Sequence, residues 1–224
     1  MTTILIVGFG SIGKRHLENI LKLTNSKVVI LTKRKRLLRL QKKSVVIVNS
    51  LQEALLHKPD IGFVANETSL HVDIAMKLVN HGMHIFLEKP VASDLRGARI
   101  IIDTAIKKGK KIVVGYILRH HPIWKKFIVE AKKMGRPLAM RMNLNQQSSG
   151  DTWSVHKNLL NSLSPIVDCG VHYLDVMCQI TESKPLSVSA IGVRLSDEIP
   201  DDNYNYGQLQ IRFSDGSVGW YESA

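Results

Sequence analysis

Cysteine is scarce in this chain of 224 residues: Cys169 and Cys178 are the two present. They fall in one stretch of helical spacing and would point to different faces, which argues against a disulfide between them. A disulfide framework is therefore excluded, and the count fits a reducing, cytoplasmic setting. Long apolar runs are absent too. None approaches the roughly 20 residues that span a bilayer, so no membrane association is expected. The start, "MTTILIVGFG", has neither a basic segment before its apolar run nor a small-residue cleavage pattern. It reads as a first strand, not a signal peptide. No C-x-x-C or H-x-x-x-H spacing occurs, and His120, His121, Cys169, His172 and Cys178 make no recognised ligand set, so no metal site is expected. Low-complexity tracts are missing, which argues against disorder.

What is present is positive charge and apolar residues: net +12, with 44% hydrophobic residues. The apolar share suffices for one large domain or two small ones with real cores. A basic balance suits nucleic acid, a membrane surface or an anionic small molecule. The densest cluster, "KRKRLLRLQKK" at 33–43, has no interleaved aromatics and no nucleic-acid motif, so no specific nucleic acid is expected. A second, "KKGKK" at 107–111, falls at a helix end, where cations favour the dipole without any ligand.

Short apolar strands alternate with amphipathic helices from the start: "ILIVGF", "KVVILT", "IGFVA", "HIFL" and "IVVGY", with helices between them. A capping box at Ser50–Glu53 opens one helix and Ser93 can cap another. Such alternation predicts an α/β domain, a doubly wound parallel sheet of Rossmann type. After residue 120 the grammar changes. A helix covers about 122–134, "LAMRMNLNQ" alternates as a strand, and 148–164 reads as irregular and polar. "PIVDCGVHYLDVMCQI" reads as a helix with Pro165 at its front, followed by three strands joined by short turns. This predicts a smaller α+β domain with an open mixed or antiparallel sheet. The expected division is 1–119 and 120–224.

"GFGSIG", Gly8 to Gly13, fits G-x-G-x-x-G, and it follows a strand and opens a helix. That context makes it a dinucleotide fingerprint. Gly8 allows the tight turn, Gly10 lets the backbone approach a pyrophosphate, and Gly13 permits helix–sheet packing. Ser11 and Ile12 begin the helix whose free N–H groups face the phosphates. At the end of the second strand an NAD site wants a carboxylate for the ribose; here stand Thr32, Lys33 and Arg34. A hydroxyl and two cations suit a 2′-phosphate, so NADP(H) is preferred and NAD(H) stays open as second cofactor.

Ligands of open α/β sheets bind beyond the carboxyl ends of the strands. Lys89 follows the fourth strand on that edge, where it can stabilise developing alkoxide charge. Asp168 and His172 are four apart; on a helix they share a face, and the carboxylate would orient the imidazole for proton removal. Trp124, Trp153 and Trp220 read as packing or pocket-wall residues, and His156 and Lys157 as solvated loop residues.

"GFGSIGKRH", "EKP" after the fourth strand and "DCGVHYLD" resemble the Gfo/Idh/MocA oxidoreductases along the whole chain. The resemblance implies a Rossmann domain followed by an α/β domain whose open sheet mediates homo-oligomers. It implies hydride transfer between NAD(P) and a small-molecule substrate, a sugar, polyol or related hydroxy or keto compound. Lys89 matches the family's EKP lysine, between nicotinamide and substrate, with Glu88 beside it and a cis bond before Pro90. Asp168 and His172 match its D-x-x-x-H motif, the histidine as acid/base. Tyr116 and Arg119 fall where that family lines the substrate pocket, and Asn66 and His71 match its cofactor-side segment after the third strand. There Glu67 replaces a family proline, and "NSLSP" stands where a glycine-rich stretch often precedes the motif. Chains of that family run on past residue 224, so the resemblance implies an incomplete second domain. The alternative is a non-catalytic NADP(H)-binding or regulatory homologue.

Overall fold

A computed structural model describes residues 1–33, 44–145, 148–161 and 163–223. They form two compact units, divided between Gly115 and Tyr116. Tyr116 to Arg119, placed in the first domain by sequence, therefore group with the second unit.

The first unit runs β1 (Thr3–Val7), α1 (Ser11–Leu23), β2 (Lys27–Leu31), β3 (Val45–Val48), α2 (Leu51–Leu56), β4 (Ile61–Val64), α3 (His71–Asn80), β5 (His84–Leu87), α4 (Leu95–Lys107) and β6 (Ile112–Val114). The six strands form one sheet in the order β3-β2-β1-β4-β5-β6, every neighbouring pair parallel. The sequence predicts five of these strands. The sixth, β3, is a four-residue apolar run wedged between the basic segment and the Ser50 cap, too short to show a period.

All five residues of β1 are buried, as expected of a central strand covered on both faces. Its alternating side chains divide between two cores. Leu5 and Val7 join Val29, Val64 and Leu87 under α3 and α4, where Leu78, Val79 and Ile101 are fully buried. Ile4 and Ile6 join Val28 and Ile30 under α1, against Leu17 and Ile20. Each fully buried aliphatic side chain contributes about 1.5–3 kcal/mol. Local chemistry sets the helix limits. Ser50 Oγ accepts from Glu53 N–H at 3.2 Å, while the Glu53 carboxylate accepts from Asn49 N–H at 3.0 Å, one residue earlier than a capping box requires. Asp94, not Ser93, caps α4: it holds the extended cap conformation and accepts from Gly97 N–H at 2.7 Å.

The second unit contains α5 (Pro122–Lys132), β7 (Ala139–Leu144), α6 (Gly150–Leu159), α7 (Val171–Thr181), β8 (Pro185–Val193), β9 (Tyr206–Phe213) and β10 (Val218–Ser223). Its mixed sheet has the order β7-β10-β9-β8, with β7 and β10 parallel and the other pairs antiparallel. Val176, Met177 and Ile180 of α7 and Ile128 of α5 pack on Leu209, Ile211, Phe213 and Tyr221. The opposite face carries Arg141 over the Trp220 ring at 5.9 Å. β8 is an edge strand with all nine residues exposed. Two expectations are corrected here. The stretch read as irregular contains α6, and the helix after Pro165 opens with a π-helical turn, Ile166–Gly170, before it becomes α7. No helix among the described residues is long and apolar enough to cross a membrane.

Candidate functional site

The glycine loop and the other residues singled out in the first unit lie at one edge, beyond the carboxyl ends of β1, β2, β4 and β5. The strand order reverses beside β1, which is where open α/β sheets leave a crevice for ligands. The three glycines of the loop after β1 have three different physical reasons. Gly8 has φ +90, and a Cβ there would meet Ala65 O and Asn66 N at 2.6 Å. A Cβ on Gly13 would lie 2.2 Å from Gly8 O. A Cβ on Gly10 would meet nothing within 4 Å, so the space above it is open. Gly10 is the residue before α1, and the first helical bond runs from Lys14 N–H to Gly10 O. The N–H groups of Ser11, Ile12 and Gly13 are thus the donors that a helix start leaves without helical acceptors. Open space over a helix start is what a pyrophosphate requires.

Beside this loop, Gly8 N–H donates to Leu31 O, which brings the end of β2 next to it. Thr32 is buried and Lys33 exposed there. Arg34 and nearly all of the basic 33–43 run lie outside the described residues. Ala65 and Asn66 pass directly over Gly8. His71 is 1% exposed; its Nδ1 lies 2.9 Å from Pro90 O and its Nε2 3.2 Å from Asn66 O. It joins the loop after β4 to the loop after β5, and its ring is spent on that contact instead of facing outward. The Lys89–Pro90 bond is cis, as the resemblance implies. Lys89 is half-buried on this edge. Glu88, expected toward the cofactor, turns its carboxylate to α1, where Oε1 meets His16 Nε2 at 2.7 Å. Gly115 makes room for it: a Cβ there would lie 3.0 Å from Glu88 Oε2. His16 itself sits against Phe86 and Phe63 with ring centroids 4.9 and 5.2 Å away. A contact across 72 residues of sequence leaves no local signal.

In the second unit, Asp168 lies in the π-helical turn and His172 in the first turn of α7. The wider π winding alters their relative register from that of a plain α-helix. The turn is held by Gly170, where a Cβ would strike the Tyr221 ring at 2.7 Å. Tyr221 is fully buried and stacks on Tyr173 at 5.4 Å, and burial pushes its hydroxyl up to about 12. Tyr116 meets His172 edge-on at 6.4 Å. Arg119 does not offer its guanidinium freely: it clamps Asp175 with Nε at 2.8 Å and with Nη2, while its charge lies 5.3 Å over the Tyr116 ring. Burial, and then the Asp175 charge, raise the Tyr116 hydroxyl. The hydrogen bond to Asp175 raises Arg119 further. The unit thus gathers Tyr116, Arg119, His172 and Asp175. Asp168 lies instead on the wall of a cavity shared with α6. The α6 contribution escaped sequence reading, although Trp153, His156, Leu159 and Leu160 recur at helical spacing.

Residues 2–116 match the oxidoreductase family with an NAD-binding Rossmann fold, and residues 126–224 match the GFO/IDH/MocA C-terminal domain. The chain is 27% identical over 218 residues to an inositol 2-dehydrogenase/D-chiro-inositol 3-dehydrogenase of Lacticaseibacillus casei, covering 91% of this chain and 60% of that one. It is 27% identical over 197 residues to the uncharacterized oxidoreductase YrbE of Bacillus subtilis, covering 85% and 57%. The WlbA dehydrogenase of Chromobacterium violaceum, solved in complex with NADH and UDP-GlcNAcA, superposes with a TM-score of 0.88 at 18% identity, covering 100% of this chain and 67% of that one. That likeness shows the fold. The chain spans about three fifths of the length of the curated relatives it matches. Matches over both units, together with the glycine loop and the EKP turn, establish that this chain belongs to the GFO/IDH/MocA family of oxidoreductases.

Proposed function

We propose that this chain carries the cofactor and substrate residues of a dehydrogenase that moves hydride between NADP(H) and a sugar-, polyol- or related hydroxy or keto compound. The observation that supports it most is the open space over Gly10 at the start of α1, on the same sheet edge as Lys89. Ser11, Ile12 and Gly13 would hold the pyrophosphate, and Thr32, Lys33 and Arg34 the 2′-phosphate; Asn66 packs over Gly8 and His71 fixes the loops around it. A bound nicotinamide supplies the hydride acceptor. His172 takes the proton of the substrate hydroxyl, Asp168 orients and binds the substrate, and Lys89 stabilises the developing alkoxide. Tyr116 and Arg119 frame His172. The named activities of the relatives agree with this reading: one is an inositol dehydrogenase, another a UDP-N-acetylglucosamine 3-dehydrogenase of Acidithiobacillus ferrooxidans.

The cofactor preference rests on the end of β2, where Leu31, Thr32 and Lys33 include no carboxylate. Comparing NADPH and NADH titrations tests it: NADPH is expected to bind at least about tenfold tighter, a difference of 1.4 kcal/mol. Equal or tighter binding of NADH refutes the preference. A substrate screen following NADPH absorbance tests catalysis. His172→Ala is expected to lower turnover by about 10² to 10⁴ with cofactor binding intact, the range of a lost general base. Cofactor binding without turnover on any sugar or polyol would favour the non-catalytic homologue. The all-exposed β8 edge and the open face of its sheet favour a homo-oligomer built there.

A further inference from the structure

We infer that His16 is a positioning residue for Lys89: from α1 it fixes Glu88, and through Glu88 the turn that aims the lysine. Its part in turnover rests on the dehydrogenase reading; its hold on the turn does not. Two regular patterns bring the pair together. On α1, His16 stands three residues after Gly13 and four before Ile20, both buried, so the three share one stripe of the helix. Gly13 lets that stripe come close, since a Cβ there would overlap Gly8 O. On β5, side chains alternate between the faces of the sheet. Leu87 joins the core under α3 and α4, which leaves Phe86 and Glu88 on the α1 side. The imidazole rests on the stacked rings of Phe86 and Phe63, whose centroids are 4.8 Å apart. Its Nε2 lies 2.7 Å from Glu88 Oε1. A carboxylate only accepts, so Nε2 carries the donated proton.

The contact is largely shielded from water, with the His16 side chain 17% exposed and that of Glu88 14%. Such a pair adds little net stability, because removing both groups from water offsets what they gain from each other. What it supplies is direction. The ring is seated on two phenylalanines and the carboxylate lies against Gly115, so few arrangements keep the hydrogen bond. The residue before Lys89 is thereby tied to α1. The residue after it is tied to α3, where His71 Nδ1 lies 2.9 Å from Pro90 O. Lys89 is thus the middle residue of a turn held by one histidine from each face of the sheet. The start of α1 is also where the proposed cofactor phosphates lie, so one helix sets both the cofactor and the lysine turn. A reacting group misplaced by about 1 Å can lower a rate by about 10².

The test separates the hydrogen bond from the packing. His16→Phe keeps a ring on Phe63 and Phe86 and removes the donor; His16→Gln restores an N–H at about the reach of Nε2. With the full chain and a substrate found by the NADPH screen, His16→Phe is expected to lower kcat about 10- to 100-fold. KM and the NADPH Kd should stay within about twofold, and His16→Gln should recover kcat to within about threefold of the parent. Glu88→Ala is expected to lose as much as His16→Phe, and the double variant no more than either single one. The lysine is also followed directly, by NMR of the reductively ¹³C-methylated protein, with its signal assigned by its loss in Lys89→Arg. That signal should shift in His16→Phe and return in His16→Gln. Turnover of His16→Phe within about twofold of the parent, a glutamine variant no better than phenylalanine, or a double variant that loses the product of the two singles overturns the inference. Failure of the dehydrogenase reading looks different: the parent chain reduces and oxidises nothing, and the NMR signal then decides alone. A Lys89 signal unmoved by His16→Phe overturns the inference in either case.

Discussion

Two glycines of the same loop should fail in opposite ways. Gly13→Ala places a methyl group 2.2 Å from Gly8 O, a backbone atom that cannot swing aside. Alanine gains about 1 kcal/mol of helix propensity over glycine. Against this, relieving the overlap requires α1 to move by on the order of 1 Å from β1, and forced overpacking costs about 1–3 kcal/mol or more. Since α1 is pinned to the sheet by Leu17 and Ile20, the cost falls on the core, and a net loss of roughly 2 kcal/mol is expected. In a unit of this size that lowers Tm by roughly 5–10 °C. Gly10→Ala meets nothing within 4 Å, and its backbone, φ −78 and ψ −160, is open to any residue. Alanine is a poorer helix cap than glycine by about 0.5–1 kcal/mol. It also stiffens the unfolded chain, which stabilises by about 0.4–1 kcal/mol. The two effects cancel, so Tm should stay within about 2 °C. Affinity for the cofactor should instead fall by about 10- to 100-fold, because the methyl occupies the space over which a pyrophosphate would lie. Thermal unfolding followed by circular dichroism, with NADPH fluorescence titration, measures both. A stable Gly13→Ala would refute the packing argument. Unchanged NADPH binding by Gly10→Ala would refute the assignment of the loop.

Three more outcomes follow from the second unit. Arg119→Ala leaves the Asp175 side chain, 8% exposed, without its cationic partner, and should cost about 1–3 kcal/mol in urea unfolding, whereas Asp175→Asn should cost less. Equal losses would show that the charge is not what matters. The folded state holds the Tyr221 hydroxyl proton up to about 12, while the unfolded chain releases it near 10. Its contribution is therefore complete below about pH 10 and is lost as pH rises toward 12, in total roughly 2–3 kcal/mol. Tyr221→Phe should flatten that alkaline decline, and an unaltered slope would refute the assignment. Glu198→Gln loosens an exposed pair with Lys157 and should shift the urea midpoint little; a large shift would show that Glu198 holds α6 more firmly than its exposure implies.

How far the sequence could be read follows from what each feature depends on. Strands β1, β2, β4, β5 and β6 were legible because each couples an apolar run to a glycine, a cap or a break. β3 was not, since Val45–Val48 carries no periodicity of its own. Helix α6 was hidden by its polar exposed face and by the few apolar residues that mark it. The π-helical turn could not be foreseen: Asp168 and His172 are four apart whether the winding is α or π, and the choice is made by Gly170 against the buried Tyr221 ring, 51 residues on. The glycine loop needed only its context. Glu88 follows β5 at the sheet edge, and its direction depends on His16 and the gap at Gly115, which no window of sequence contains. Arg119 lies beside Tyr116, and its engagement with Asp175 required the helix geometry.

The strand β8 has a practical consequence for anyone who concentrates this protein. "PLSVSAIGV" holds no charged residue, and Leu186, Val188 and Ile191 are each more than 60% exposed. One side of its backbone pairs with β9; among the described residues the other side pairs with no strand. Only its flanks resist unspecific pairing: Lys184 and Pro185 at one end and Arg194 at the other, the residue types that act as gatekeepers beside sticky segments. In the free subunit, solubility is therefore sensitive to nine residues far in sequence from the glycine loop, the same residues a homo-oligomer would cover. A single lysine at Val188 should raise the concentration at which light scattering begins, with no change in NADPH titration.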